Sequence, residues 1–426
     1  MNKVPGIFKN PAFLMVCVLV GVTPLMRGSV HRWAETLIQM MVMMGVILLL
    51  EQMLSKKDPS KQEVPKNTHT GIPFGQMFRY VVIPCTLLGI WGTLFSRHMG
   101  MAVEGLVMLM AYLAFFYLVF ESVRTRQEQR ALVWVMVGTA FFLCIIGLCK
   151  RFGIMVFPWW DYAAEFPKNY EALSLSGVYV NRNHMAGFLE MAIPVLLGLF
   201  LTRSRATVIH ISMILLALFL ILCQALTLSR GGWAATTGAM IFMMGVLLSR
   251  RGFAYKRLLI SIAVAVVAVT VILLVSTPVV ERIITITQHD IEDNIAGRLL
   301  YWASTWNMIK DNIFAGTGPG TYAVTSIPYL VPGLGVLPVF AHNDYLHITA
   351  ETGIFFIPLM FWLLGLFFST GFKKLKSRSR QTSGIALGCM ASVVAILVHS
   401  YSDFNLHIPA NIILFTAITA LVLKPE

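Results

Sequence analysis

Charge is what this chain has least of. Asp, Glu, Lys and Arg together make up 12% of its 426 residues, about half the share found in soluble globular domains. A water-soluble fold of this length has nowhere to hide a 57% apolar content, so a soluble enzyme or binding module is excluded. Cysteine is also sparse. The six thiols, Cys17, Cys85, Cys144, Cys149, Cys223 and Cys389, all lie inside or at the rim of apolar stretches and show no paired spacing. That placement excludes a disulfide framework and a thiolate metal site, and leaves them as small packing residues. No heptad pattern, low-complexity tract or short-period repeat is present.

What the chain has instead is length of apolar run. Stretches long enough to cross a bilayer core of about 30 Å fall near 11–26, 35–53, 79–95, 99–120, 131–149, 184–202, 206–228, 232–249, 258–276, 353–372, 383–401 and 409–423. The pattern predicts an all-α integral membrane protein of about twelve transmembrane helices, a single polytopic membrane domain over 1–426. Lys3 and Lys9 precede the first run as in a signal peptide, but no small-residue cleavage site follows, so it reads as an uncleaved helix.

Basic side chains give the orientation, because cytoplasmic loops retain Lys and Arg. With both termini inside, 22 of the 33 basic residues fall on inner segments, dense in Arg250–Arg257 and Lys373–Arg380, and the other 11 are spread over about twice as much loop. The net charge of +13 is therefore mostly topology, and nothing calls for nucleic acid. Polar, Lys-rich Ser55–Pro73 reads as a flexible inner loop.

Two outer loops are long. The first, 150–183, carries Trp159, Trp160, Asp161 and Tyr162, which suit the headgroup level of a membrane. It ends in Tyr179-Val180-Asn181-Arg182-Asn183-His184 at a helix mouth, where Asn181 or Asn183 could cap the helix and Arg182 and Asn183 could meet a ligand. The second, 277–352, at 76 residues, is too long for a plain connection. It holds an aromatic-rich helix, Gly297–Ile309, with Arg298 and Trp302, then a turn-rich Gly316-Thr317-Gly318-Pro319-Gly320. Ala341-His342-Asn343-Asp344-Tyr345-Leu346 then leads into a helix reaching Glu351 and Gly353. Arg230, in Ser229-Arg230-Gly231-Gly232, stands at an outer boundary between two spans. Either an anionic substrate group or lipid phosphates would compensate its charge there.

At these residues the chain resembles the O-antigen ligase-like family of membrane glycosyltransferases, which includes the related polysaccharide polymerases. The resemblance rests on Asn181-Arg182-Asn183-His184, Ser229-Arg230-Gly231-Gly232, Gly297-Arg298 with Trp302, Gly316-Thr317-Gly318, and His342-Asn343-Asp344-Tyr345-Leu346 followed by Glu351-Thr352-Gly353. Each motif is short; together, in order and on one membrane face, they are specific. The resemblance implies a fold of the large membrane glycosyltransferase type (GT-C-like). It implies a bacterial inner-membrane location with a periplasmic active site, and no cofactor. It further implies a glycan donor on undecaprenyl pyrophosphate and an acceptor hydroxyl on lipid A-core or on another glycan. By matching motif, Arg230 and Arg298 would engage the donor pyrophosphate and His342 would activate the acceptor, with Arg182 and Tyr345 at family-like positions.

Elementary chemistry fits those roles. Guanidinium groups offset the charge growing on a departing pyrophosphate through forked hydrogen bonds. Imidazole is the side chain whose ordinary pKa suits removal of a hydroxyl proton near neutrality. A single displacement would invert the anomeric centre. No Asp-x-Asp lies on an outer loop; Asp290, Glu292 and Asp293 read as solvated charges, so no metal is expected. His184, His347, His399 and His407 read as residues bonded to backbone or water near span ends, and Asp403 as a turn former that could orient a site group. Glu351, about half a turn of helix face away from His342, is not expected to pair with it. A secondary transporter of twelve spans is the rival from another class. Its usual midplane site among broken helices is not signalled: Glu104 and Glu190 are the visible ionisable residues deep in spans.

Overall fold

The computed structural model describes residues 10–55, 71–154, 174–201, 207–249, 295–333 and 337–425, together with Ser261, Val264 and Ala268. The described residues form helices and no strand. The expected span at 258–276, apart from those three positions, lies outside them, as do Trp159–Tyr162, most of the Lys-rich inner loop, and Asp290, Glu292 and Asp293.

The main helices are α1 (Pro11–Val22), α2 (Arg32–Ser55), α3 (Phe74–Leu94), α4 (Met99–Ser122), α5 (Arg126–Arg151), α6 (Arg182–Phe200), α7 (Thr207–Leu226), α8 (Arg230–Ser249), α9 (Ile295–Asp311), α10 (Asp344–Thr352), α11 (Phe356–Leu375), α12 (Arg380–His399) and α13 (Pro409–Leu423). Among the described residues nine of these are long and apolar enough to cross a membrane, and α1 and α13 are shorter apolar helices. Those eleven coincide with eleven of the apolar runs.

Local chemistry sets several boundaries. In α3, Pro84 lacks an amide hydrogen and crowds the turn before it, and the helix opens there into a π turn at Phe78–Val82. Thr125 and Glu128 cap α5 reciprocally, each side chain bonded to the other's backbone amide. Asn181 caps α6, its Oδ1 accepting from Asn183 N at 2.8 Å.

Two helices are enclosed by the rest. In α6 and α12, 89% and 83% of the central window is buried, against 17% in α11. Lipid offers no hydrophobic drive for helix association, so close van der Waals fit must do it. A Cβ on Gly198 would lie 2.4 Å from Gly384 O and 2.9 Å from Gly388 Cα. The α6 and α12 backbones therefore touch directly. Ser392 Oγ adds a hydrogen bond to Met191 O at 2.5 Å, near Pro194. This crossing fixes the register that brings Glu190 of α6 opposite His399 of α12.

The two ends of α12, about 30 Å apart at 1.5 Å per residue, differ in chemistry. Its Arg380 end meets the start of α5, where Gln381 accepts from Arg130 at 2.8 Å and donates to Arg126 O at 2.5 Å. Lys374 Nζ binds Lys424 O at 2.7 Å in the same region. The His399 end runs into the turn that carries Asp403.

Candidate active site

The loop helices α9 and α10 sit against the His399 end of α12 and the turn Ser400–His407. Asn343 caps α10, accepting from Leu346 N at 3.1 Å, and its amide donates to Tyr401 O at 2.9 Å. Asp344 N donates to Ser400 O at 2.9 Å and lies 3.2 Å from Asp403 O. One residue earlier the chain must turn sharply. His342 takes φ of 48°, a left-handed conformation that a non-glycine residue adopts only where its surroundings enforce it. Trp302 Nε1 donates to His342 O at 3.2 Å, Tyr301 stacks on the imidazole at 5.4 Å, and Phe404 meets it edge-on at 4.8 Å.

At the centre of the assembly is Asp403, 0% exposed. One carboxylate oxygen accepts from Phe404 N at 2.8 Å and lies 3.7 Å from His342 Nδ1; the other lies 3.7 Å from Arg298 Nη2. His184 Nε2 approaches to 4.0 Å. These distances are too long for hydrogen bonds and short enough for strong charge attraction. Burial alone would raise the Asp403 pKa, but His342, Arg298 and His184 outweigh it and hold the carboxyl well below its usual range. A fixed negative charge facing Nδ1 favours the tautomer with its proton there, which leaves Nε2 free to accept one.

Of the residues singled out in the sequence, His342, Arg298 and Trp302 converge here. Asp403 is wholly buried and faces both His342 and Arg298. Tyr345 is the second residue of α10. Its hydroxyl donates to Leu397 O at 2.6 Å, and burial together with the Asp344 charge pushes its pKa to about 12. It tethers α10 to α12 as a neutral group. Asn183 is buried in the cap of α6, whereas Arg182 beside it is partly exposed.

Arg230 begins α8 and is exposed. Leu228, two residues before it, is left-handed with φ of 55°, and Ser229 Oγ accepts from Gly232 N at 3.2 Å, capping the helix. The next residue, Gly231, is pressed against His399 and Ser402. The backbone of Arg230 is thus carried to the same helix end as Asp403.

Three histidines are each paired with a carboxylate, His347 in addition to a backbone bond from Ala341 N. His399 Nδ1 lies 2.8 Å from Glu190, His407 Nδ1 lies 2.7 Å from Asp344, and His347 Nε2 lies 3.4 Å from Glu351. Asp344 also accepts from Ser400 Oγ at 2.7 Å and Leu406 N at 3.1 Å, so it ties α10 to the Ser400–His407 turn. Glu351 pairs with His347 as an i, i+4 neighbour, and its Oε1 accepts from Tyr322 N at 3.0 Å. Gly316, Gly318 and Gly320 all take positive φ, as the turn-rich reading requires. A Cβ on Gly316 would lie 2.3 Å from the Glu351 backbone, so the turn packs directly on α10.

Among the described residues, His347, Glu351 and His407 form a group that could hold a metal ion, their ligand atoms lying within 4.8 Å of one another. The Ala341 amide donates to His347 Nδ1 at 3.4 Å, which puts the ring proton on Nε2, the nitrogen facing Glu351. Burial and His407 together hold the His347 pKa below its ordinary value, consistent with a neutral ring. The cluster is satisfied as a hydrogen-bonded tie between α10 and the turn after α12. Sequence reasoning missed these pairs. The signal was Glu190, an ionisable residue deep in an apolar run, which calls for a partner.

Residues 215–361 match the family model described as O-antigen ligase. This segment is similar to O-antigen ligases. It spans about a third of the chain and contains Arg230, Arg298, Trp302, His342 and Tyr345. Arg182, Asn183, Glu190, His399 and Asp403 lie outside the match, on α6 and around the C-terminal end of α12. The matched segment therefore draws the anchor of its candidate base and of one arginine from helices beyond its own limits. No curated protein matches the chain.

Proposed function

We propose that the protein is a glycosyltransferase of the bacterial inner membrane that moves a glycan from undecaprenyl pyrophosphate to a sugar hydroxyl on lipid A-core at the periplasmic face. The observation that carries this reading is the convergence of His342 and Arg298 on buried Asp403 inside and beside the segment similar to O-antigen ligases. The basic-rich end of α12 lies opposite the end that carries these residues, in keeping with cytoplasmic termini and an outward site.

In this mechanism Arg298 and Arg230 bind the pyrophosphate and offset the charge it gains on leaving. His342 Nε2 takes the proton of the acceptor hydroxyl while Asp403 stabilises the imidazolium that forms. The acceptor oxygen attacks the anomeric carbon, the bond to pyrophosphate breaks, and configuration inverts. Arg182 lies at the mouth of α6 as a further donor contact, and Trp302 and Tyr401, in edge contact at 5.2 Å, form an aromatic rim where a sugar face can rest. Metal-independent transfer, expected from the sequence, is part of this proposal.

A polymerase acting on the same donor differs only in its acceptor, another lipid-linked repeat. Deleting the gene and staining surface glycans separates the two. Loss of ligation leaves long chains on the lipid carrier; loss of polymerisation leaves single repeats. A transporter reading would gain from solute uptake into proteoliposomes with the lipid-linked glycan unaltered.

A further inference from the structure

Among the described residues, Glu190 and His399 are the most deeply buried ionisable pair that the mechanism above does not use. They are 0% and 1% exposed, they belong to the two most enclosed of the nine long helices, and their side chains meet at 2.8 Å. Removing two such groups from water is costly, and an apolar pair of equal volume would fill the space without that penalty. What the polar pair adds is direction. The Glu190 carboxylate engages His399 Nδ1 and so permits one ring orientation, with the Cδ2 and Nε2 edge turned away from it.

That edge meets α8 at its first turn. A Cβ on Gly231 would lie 2.6 Å from His399 Cδ2, 2.7 Å from His399 Nε2 and 3.0 Å from Ser402 Oγ. Only glycine admits so close an approach, and the residue immediately before it is Arg230. The start of α8 is also the positive end of the helix. An imidazole nitrogen directed there by a carboxylate behind it is electrostatically well placed. The same turn of chain carries Asp403, whose amide donates to His399 O at 3.1 Å.

We propose that Glu190 and His399 are positioning residues for the donor site: Glu190 orients the His399 ring, and the ring, seated on Gly231, sets the place of Arg230 relative to Asp403 and Arg298. This rests on the proposed role of Arg230 in gripping pyrophosphate. In this reading the pair acts on the donor side, through Arg230.

The test is steady-state transfer by purified, reconstituted protein, with donor and acceptor varied separately. Misplacing a positioning group by about 1 Å can cost about 10²-fold. Glu190→Ala and His399→Ala are therefore expected to raise the donor KM about 10-fold or more while the acceptor KM stays within about twofold. Glu190→Gln, which keeps an acceptor oxygen for Nδ1, recovers part of that loss. Gly231→Ala supplies a second arm. It is expected to cost about 10²-fold in kcat/KM for the donor in the native background and far less in a His399→Ala background, where its methyl group has room.

Equal costs of Gly231→Ala in both backgrounds overturn the proposal. So does a native donor KM in Glu190→Ala and His399→Ala chains that insert and fold, and so does an equal loss for both substrates. Arg230→Lys in the same assay keeps the two readings apart. If it loses donor affinity while the pair's variants do not, only the positioning role is wrong. If it loses nothing, the donor role of Arg230 falls, and the pair's role with it.

Discussion

Replacing Asp403 by Asn isolates the charge at the centre of the site. The amide oxygen can still accept from Phe404 N, now at 2.8 Å from the carboxylate, so the local turn should survive. What is lost is a unit charge 3.7 Å from His342 Nδ1 and 3.7 Å from Arg298 Nη2. At an effective dielectric constant of about 20, charges at that separation attract by about 4.5 kcal/mol. The His342 and Arg298 side chains are 19% and 18% exposed, so solvent screens little of this. If the imidazole carries about half a positive charge in the transition state, about 2 kcal/mol is added to the barrier, which slows turnover about 30-fold. The assay is kcat for purified protein with donor and acceptor both saturating. Turnover of Asp403→Asn within about threefold of the native value at neutral pH would refute the argument that this carboxylate supports the base.

Arg298→Ala is expected to weaken donor use by about 10²-fold and to leave acceptor affinity unchanged, read as separate KM values, since it removes charge where the leaving group develops its own. Stability is expected to depend on His407. Burial alone would lower its pKa, but the hydrogen bond and charge of Asp344 overcome that and raise it above the ordinary value. The stabilisation is then fully present below about pH 6.5 and is lost as pH rises through the raised value. Thermal unfolding in detergent should show the native melting temperature falling above that pH, and His407→Gln should abolish that part of the fall. Transfer is expected to survive chelators. A complete, metal-reversible loss in EDTA would instead place an ion on His347, Glu351 and His407.

The helices were legible because lipid imposes a plain rule: a spanning segment must be long, apolar and internally hydrogen-bonded. Eleven of the apolar runs accordingly reappear as helices. The glycine turn at Gly316–Gly320, the Asn181 cap and the helix ending at Gly353 were legible for the same reason, since each follows from local backbone chemistry. His342, Arg298 and Trp302 were legible as motif residues on one loop. Their anchor was not. Asp403 sits about 60 residues beyond His342 in a short turn, and only the packing of α10 against the end of α12 reveals that it faces His342 and Arg298. The Glu190 and His399 pair was hidden likewise, because its register depends on the glycine contact between α6 and α12. Local patterns name which residues are polar; the partners of a buried polar residue are a property of helix crossings.

The claim at the centre of this account is that His342 serves the acceptor while the arginines serve the donor. The most direct measurement compares purified His342→Ala and Arg230→Ala for binding of lipid-linked glycan and for single-turnover release of the lipid pyrophosphate in the presence of acceptor. The account predicts that His342→Ala binds donor as the native protein does but turns over about 10²- to 10⁴-fold more slowly, the usual worth of a positioned general base, and that Arg230→Ala fails at binding. Native turnover by His342→Ala, or loss of donor binding in His342→Ala with binding kept in Arg230→Ala, would contradict it.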